Sequence, residues 1–268
     1  TYRVKIAMGY LFLLDMCFSI STDKSSQLHR AYENNDADAI KRIVSELDNS
    51  TDLPLHFTSG FAHQKMLIYT NWEPNIPKPA YWGLIPKTMK TLAEAHKIWN
   101  MTLNARGETL FEKKSFKDAI KYQRCVIYVR GFFEYYHFEG KKYPYFIQNA
   151  DSRSMPLAGI WSEWTEDVLA PIYPTFSIIT TEANPLMAKI HNNPKIDEPR
   201  MPVILEEDFV DLWLDPNVEQ FSRKDVEPFL QPYSQNKLKA FTVPPLTGKQ
   251  GVGNTPSATE KFTYPELK

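Results

Sequence analysis

The segment from Arg124 to Ile147 constrains the fold of this chain more than any other stretch. It contains three runs of β-branched and aromatic residues, RCVIYV, GFFEYYHF and YPYFI. Residues of these types favour extended backbone because their side chains pack well on a half-buried, pleated surface. Glu139 and Gly140 stand between the second and third runs and supply turn residues. The segment therefore predicts a β-hairpin.

Helical and extended patterns follow one another irregularly along the rest of the chain. Apolar residues at helical spacing predict a helix over 36–48, and Asn184-Pro185 predicts one over 184–190 with Asn184 as its N-cap. The other predicted helices cover 91–100, 115–122 (with Ser115 as N-cap) and 206–214. The other predicted strands cover 65–70, 157–161, 175–181 and 201–205.

Many strands separated by short helices, without regular alternation, are typical of the α+β class. We expect one compact domain over 17–268, built around a curved, barrel-like, mostly antiparallel sheet with short flanking helices. Residues from about 216 onward are rich in proline and show little periodicity. They are expected to form an irregular C-terminal segment that wraps this domain.

Composition and motif searches exclude several function classes. Thirty-one Lys/Arg against 32 Asp/Glu give a formal net charge of −1, which is unlike a uniformly basic protein that coats duplex DNA. Neither GxGxxG nor GxxxxGK[ST] occurs, and no CxxC or HExxH spacing is present. We therefore expect no nucleotide cofactor and no metal. With only Cys17 and Cys125, a disulfide framework is excluded, and a reducing, cytoplasmic compartment is expected.

Charge is distributed unevenly along the chain. Residues 86–145 contain twelve Lys/Arg against six Asp/Glu, whereas residues 146–230 contain six against fifteen. The first stretch could attract a polyanion while the whole chain stays neutral. The alternative is that these charges lie on ordinary solvated helix faces.

The first sixteen residues have an ambiguous role. Arg3 and Lys5 precede a short apolar run over 6–14, which resembles a signal peptide, but no small-residue cleavage site follows. No run of about 18 apolar residues occurs, so no membrane-spanning helix is expected. We interpret Met16 as the initiator and 1–16 as an upstream segment. An export signal and a removable pro-segment are the alternatives.

Cys17 is the first candidate for chemistry. An N-terminal cysteine carries an α-amine and a thiol on neighbouring carbons. Because an α-amine is partly neutral near pH 7, it can condense with an aldehyde, and the thiol can then close a thiazolidine ring. An internal cysteine cannot do this. The alternative is a small buried hydrophobe, which describes Cys125 better.

Polar residues in three other motifs suggest supporting roles. In NARGET, Asn104 can orient a nucleophile, Arg106 can hold a phosphate and Glu108 can hold that arginine, although a plain polar turn is the alternative. Glu134 lies among aromatic residues. If its side chain points inward it would suit proton transfer, and if it points outward it would be an ordinary solvated carboxylate. His191 follows the helical ANPLMAKI and is either an acid/base group or a helix cap.

These motifs occur in a recognisable order. From Cys17 to about Leu205 the chain resembles the SOS-response-associated peptidase (SRAP) family, through MCFSIS (16–21), WGLIP (82–86), NARGET (104–109), the segment 124–147, LAGIW (157–161), TTEANPLMAKIH (180–191) and RMPVIL (200–205). The resemblance implies a positively charged cleft that captures abasic sites in single-stranded DNA. We also expect a monomer that uses no cofactor.

The resemblance assigns roles to individual residues. Cys17 would be the crosslinking nucleophile, Asn104 would position it, Glu134 would relay the proton of its amine, and His191 would act as acid/base near the sugar oxygen. Arg106 would hold a DNA phosphate, and we expect Trp82, Glu108 and Arg200 to bind DNA as well.

Three departures from the family pattern put parts of this assignment in doubt. Phe18-Ser19 replaces Gly-Arg after the cysteine, Val129-Arg130 replaces Ala-Asp before Gly131-Phe132, and NNPKIDEP is inserted between His191 and Arg200. Two rival functions remain open. One is a thiol peptidase that cleaves the bond before Cys17. The other is a noncovalent reader of modified or single-stranded DNA, in which Trp82 and Trp99 stack on bases.

Overall fold

The computed structural model describes residues 19–33, 37–38, 40–41, 44–45 and 54–267. The strands defined there are β1 (Ser19–Thr22), β2 (Leu55–Ser59), β3 (Lys65–Thr70), β4 (Lys78–Trp82), β5 (Asn104–Arg106), β6 (Arg124–Val129), β7 (Gly131–Phe138), β8 (Lys141–Asn149), β9 (Met155–Trp164), β10 (Tyr173–Glu182), β11 (Arg200–Pro202) and β12 (Leu238–Thr242). The helices defined there are α1 (Lys24–Gln27), α2 (His29–Glu33), α3 (Leu92–Trp99), α4 (Ala119–Tyr122), α5 (Pro185–Ile190), α6 (Glu207–Trp213) and α7 (Arg223–Val226).

Five strands close into a barrel in the order β4-β3-β6-β9-β10, because β10 pairs both with β9 and with β4. The β10–β4 pairing is parallel and the other four are antiparallel. Beyond its barrel contacts, β10 continues and pairs with β5 and β11. The barrel interior is filled by buried apolar side chains, which include Met66, Ile68, Trp82, Ile127 and Phe176.

Strand β6 explains why RCVIYV has no polar alternation. Cys125, Ile127 and Val129 face the barrel interior, whereas Val126 and Tyr128 face a second apolar cluster that lies outside it. Trp213 of α6 belongs to this outer cluster, and its indole N–H donates to the Cys125 carbonyl at 2.9 Å. A strand covered on both faces reads as a continuous apolar run.

A second sheet of five antiparallel strands, in the order β12-β8-β7-β1-β2, packs beside the barrel. Ile20, Phe132 and Ile147 of this sheet share the apolar cluster that fills the barrel, so the two sheets have a common core. The β7–β8 hairpin turns at Glu139 and Gly140, whose φ values of 48° and 74° suit a two-residue type I′ turn.

The α+β class and the barrel-like, mostly antiparallel architecture are confirmed. The hairpin is confirmed for β7 and β8, but RCVIYV pairs with β3 and β9 in the barrel. The predicted start of a helix at Ser115 is wrong, because residues 114–118 form turns and α4 begins at Ala119. In the predicted 36–48 helix, residues 37–38, 40–41 and 44–45 are helical and the others lie outside the described residues.

From about residue 216 to residue 267, the C-terminal segment contains only short helices and β12, which adds an edge strand to β8. After β12, Val243, Leu246 and Ala258 pack on Phe133 and Phe146. This segment therefore covers one side of the second sheet.

Candidate functional site

A cleft of about 430 Å³ lies over β7, between the start of β1, the loop after α5 and the C-terminal segment. Its centre contains Ser19, Glu134 and His191. One end is apolar, with Phe57 and Phe61, and the other is polar, with His137, Lys142 and Asn193; Pro245, Leu246 and Thr247 form a side wall. Two predicted site residues, Glu134 and His191, thus meet in one cavity.

Glu134 is held in this cleft by its strand. It lies on β7 opposite Tyr145 of β8, and it is 6% exposed. The backbone N–H of Tyr135 donates to Glu134 Oε1 at 2.8 Å. The inward orientation considered from the sequence is therefore confirmed, and the carboxylate keeps a second oxygen directed toward His191.

His191 owes its position to the end of α5. Asn184 caps this helix by accepting the Met187 N–H at 2.8 Å, and Pro185 occupies its first position. The helix stops at His191, whose N–H donates to the Met187 carbonyl at 2.7 Å. The His191 side chain is 3% exposed. Its Nδ1 lies 3.0 Å from both the backbone nitrogen and the carbonyl oxygen of Arg200.

The residue after His191 fixes the following loop to the sheet. The Asn192 amide accepts the His137 N–H at 2.7 Å and donates to the His137 carbonyl at 2.9 Å. One side chain thus satisfies both backbone groups of a strand residue. This contact sets the spacing between His191 and β7.

The two central groups are close without being hydrogen-bonded. Glu134 Oε2 lies 3.8 Å from His191 Nδ1, which exceeds hydrogen-bond distance. A carboxylate and an imidazole at this spacing can both exchange protons with a small molecule that lies beside them. The pair is suited to general acid–base chemistry.

Arg200 is placed behind the cleft and not at its surface. It is 1% exposed, and its Nε donates to Thr180 Oγ1 at 3.3 Å. Its Nη2 donates to the Thr180 carbonyl at 2.9 Å and to the two oxygens of the Glu108 carboxylate at 2.8 and 3.1 Å. Its guanidinium is enclosed in this structure, and the predicted contact of Arg200 with DNA stays a prediction. Glu108 holds Arg200, whereas the NARGET motif had suggested that it holds Arg106.

The NARGET motif lies on β5, which pairs with β10. Asn104, opposite Ile178, is 3% exposed, and Arg106, opposite Thr180, is exposed. Asn104 is not among the residues that line the cleft. An exposed Arg106 remains available to a phosphate.

Trp82 is part of the barrel interior. It is fully buried, its indole N–H donates to the Leu103 carbonyl at 2.9 Å, and its ring stacks on Phe176. Neither face of the ring is open to a base in this structure, and the predicted stacking of Trp82 on DNA stays a prediction. Trp99 is half-buried between His63 and His96, with ring centroids at 4.2 and 5.5 Å.

Cys17 lies outside the described residues. The first described residue, Ser19, lines the cleft and pairs with Phe133 of β7. In the described part of the chain no group of three or more His, Cys, Asp or Glu is arranged for a metal ion. None of the helices described there has the length and apolar character needed to cross a membrane.

Sequence reasoning missed two parts of the cleft. The polar end could have been found, because His137 and Lys142 lie at register positions next to the predicted turn. The wall at 245–247 carried no signal, because irregular backbone has no periodicity to reveal what it packs against.

Residues 16–250 match the family model described as SOS response associated peptidase (SRAP). The abasic site processing protein YoqW of Bacillus subtilis is 34% identical over 180 residues, which cover 67% of this chain and 74% of that protein. The abasic site processing protein HMCES of Rattus norvegicus is 31% identical over 51% of this chain and 44% of its own.

Solved structures agree with the fold. The crystal structure of a protein from Bacteroides thetaiotaomicron is similar with a TM-score of 0.77 at 29% identity, covering 92% of this chain and 100% of that one. A protein from Bordetella bronchiseptica gives a TM-score of 0.65 at 23% identity over 85% of this chain and 99% of its own, and that likeness concerns the fold alone. The chain belongs to the SOS response associated peptidase (SRAP) family.

Proposed function

We propose that this protein processes abasic sites in single-stranded DNA by forming a stable thiazolidine between Cys17 and the ring-opened sugar. The observation that carries the proposal is the Glu134–His191 pair, which lies in a cleft lined by Ser19, two residues after Cys17. Two Cα steps span at most about 7.6 Å, so the Cα of Cys17 is within that distance of the Cα of Ser19, which borders the cavity. The names of the relatives support DNA as the partner.

The reaction requires two bond-forming steps and the loss of one water. The neutral α-amine of Cys17 adds to the C1 aldehyde of the open sugar to give a carbinolamine, which loses water to become an imine. The thiolate then adds to the imine carbon, and the nitrogen takes a proton. No oxidant or cofactor is needed.

Glu134 and His191 supply the proton transfers. We assign Glu134 to the amine, because its carboxylate can accept the proton that the amine loses as it attacks. We assign His191 to the sugar oxygen, where ring opening requires one proton to be removed and another to be delivered. Asn104 is assigned to positioning the cysteine from outside the cleft lining, and exposed Arg106 is assigned to a DNA phosphate.

The chemistry needs Cys17 as the first residue. Hydrolysis of the Met16–Cys17 peptide bond, or translation from Met16 followed by removal of that methionine, would expose its amine. Mass spectrometry of the natively expressed protein should show a chain that begins at Cys17. Protein that retains 1–16 and still crosslinks would contradict the mechanism.

Crosslinking of abasic single-stranded DNA by Cys17→Ala and Cys125→Ala variants tests the proposal. Cys17→Ala should abolish the stable covalent product. Cys125→Ala should crosslink normally, because Cys125 is buried inside the barrel and burial raises the pKa of its thiol well above the ordinary value. If Cys17→Ala binds DNA as before and the unmutated protein forms no covalent product, the protein is a noncovalent reader. If Cys17→Ala only blocks removal of 1–16, the activity is that of a peptidase.

A further inference from the structure

Basic side chains gather at the polar end of the cleft. His137 near the end of β7 is the cross-strand partner of Lys142 near the start of β8, and both line the cavity. The two-residue turn that joins these strands holds the pair next to the opening. This end lies on the same strand as Glu134, three residues away.

The loop inserted between His191 and Arg200 adds a third cation. Its first residue, Asn192, is bonded to both backbone groups of His137. Its second residue, Asn193, lines the cleft and forms a turn in which the Lys195 N–H donates to Asn193 Oδ1 at 3.1 Å. The insertion thereby brings Lys195 beside the basic end of the cleft.

Electrostatics at this end favour an anion. The pKa of His137 is lowered by partial burial first, and then by Lys142, His191 and Lys195, all of which are cations or become cations on protonation. Among the described residues Lys142 and Lys195 form no ion pair, whereas neighbouring Lys141 pairs with Glu266. The nearby carboxylates of Glu139, Asp197 and Glu198 belong to exposed residues of the same turn and loop.

We propose that His137, Lys142 and Lys195 form a phosphate subsite, which binds the phosphate attached to the sugar that occupies the Glu134–His191 centre. The proposal rests on the proposed function for the identity of that sugar. A phosphate bound there would carry the sugar's C1 toward the acid–base pair, and the ligand class is a 2-deoxyribose phosphate ester. Because the inserted loop supplies Lys195, this part of the subsite is specific to a chain that carries the insertion.

The first test measures binding without covalent chemistry. In the full-length Cys17→Ala variant, the imidazole signal of His137 is followed by NMR during titration with 2-deoxyribose 5-phosphate, 2-deoxyribose and inorganic phosphate. The sugar phosphate should shift the signal saturably and bind about tenfold more weakly to the Lys142→Gln/Lys195→Gln double variant. The Lys117→Gln/Lys224→Gln double variant, which removes two exposed lysines outside the cleft lining, is the charge-matched control and should bind normally.

The second test measures adduct formation by mass spectrometry on natively expressed protein. 2-Deoxyribose 5-phosphate should react about tenfold more slowly with the Lys142→Gln/Lys195→Gln double variant than with the unmutated protein, whereas 2-deoxyribose should react equally fast with both. If neither sugar forms an adduct but the NMR shift persists, the proposed function fails and the subsite stands. An absent NMR shift, a shift that survives in the double variant, or inorganic phosphate that binds as tightly as the sugar phosphate would overturn the subsite.

Discussion

The Nδ1 atom of His191 lies 3.0 Å from both the N–H nitrogen and the carbonyl oxygen of Arg200. When Nδ1 is deprotonated it accepts from the Arg200 N–H, and when it is protonated it donates to the Arg200 carbonyl. The ring therefore keeps a hydrogen bond in either state, and the gain or loss of a proton needs no rearrangement. With Glu134 Oε2 at 3.8 Å, this arrangement suits a group that changes protonation during a reaction.

The roles of Glu134 and His191 can be distinguished by the choice of substrate. Glu134→Gln should slow crosslinking about 100-fold both to abasic single-stranded DNA and to a simple aldehyde, because both require the amine to lose a proton. His191→Ala should slow only the reaction with DNA, where the sugar must first open. Single-turnover crosslinking against pH measures both effects.

The control for this experiment is Glu139→Gln, which removes a carboxylate from the exposed turn of the same hairpin. It should react normally. If Glu134→Gln and His191→Ala match the unmutated protein on both substrates, neither side chain has the assigned role.

Arg106 and Arg200 should affect DNA binding in different ways. Arg106→Ala removes an exposed cation, so the slope of log K against log salt should become shallower by about 1. Arg200→Lys should leave the slope unchanged, because Arg200 is enclosed by Thr180 and Glu108. It should instead lower the melting temperature and the crosslinking rate, since a lysine cannot reproduce the forked contacts. Equal salt slopes for Arg106→Ala and the unmutated protein would remove Arg106 from the interface.

Two glycines give a matched test of how tightly the WGLIP turn is packed. Gly83 has φ +112°, and an added Cβ would lie 2.3 Å from Cδ1 of Trp99, so Gly83→Ala should destabilise the fold by about 3 kcal/mol. Gly140 has φ +74° with open space around it, so Gly140→Ala should cost about 1 kcal/mol. Urea unfolding measures both. Equal losses would mean that Trp99 moves aside.

The lowered pKa of His137 predicts a pH dependence. In the unfolded chain His137 binds a proton near pH 6.5, whereas the folded protein resists that proton until a lower pH. Its contribution to stability is thus fully present above pH 6.5 and is lost as the pH falls. Between pH 7.5 and 5.5, the melting temperature of His137→Gln should fall less than that of the unmutated protein. A larger fall in the variant would contradict the sign.

The sequence predicted those parts of the site that are positioned by a nearby helix start or turn. Asn184-Pro185 predicted the start of α5, and this helix determines where His191 lies. Glu139-Gly140 predicted the hairpin that carries Glu134. The enclosed positions of Trp82 and Arg200 could not be read from sequence, because barrel closure and a long-range contact with Glu108 bury them. Residue type indicated what these side chains can bind, and only the three-dimensional structure shows what they do bind.

Charge counted along the chain also overstated the basic surface. Arg124 belongs to the basic stretch 86–145, yet it is fully buried. It donates to the carbonyls of Trp213 and Val218 and stacks on Phe221. Burial lowers its pKa to about 10. Such an arginine ties the C-terminal part of the chain to β6 and attracts no polyanion.

The side wall at 245–247 has a consequence for synthesis on the ribosome. Residues 252 and 253 hold this wall by donating to the carbonyls of Pro245 and Leu246, and Asn254 links the segment to β2 by accepting the Phe57 N–H. A nascent chain can therefore fold its barrel and present the start of β1 well before the cavity has its last side. Cys17, the proposed nucleophile, is thus synthesised well before this wall, and the binding pocket is complete only when residues 252–254 have followed. Premature encounters with aldehydes would meet an open groove instead of a closed site.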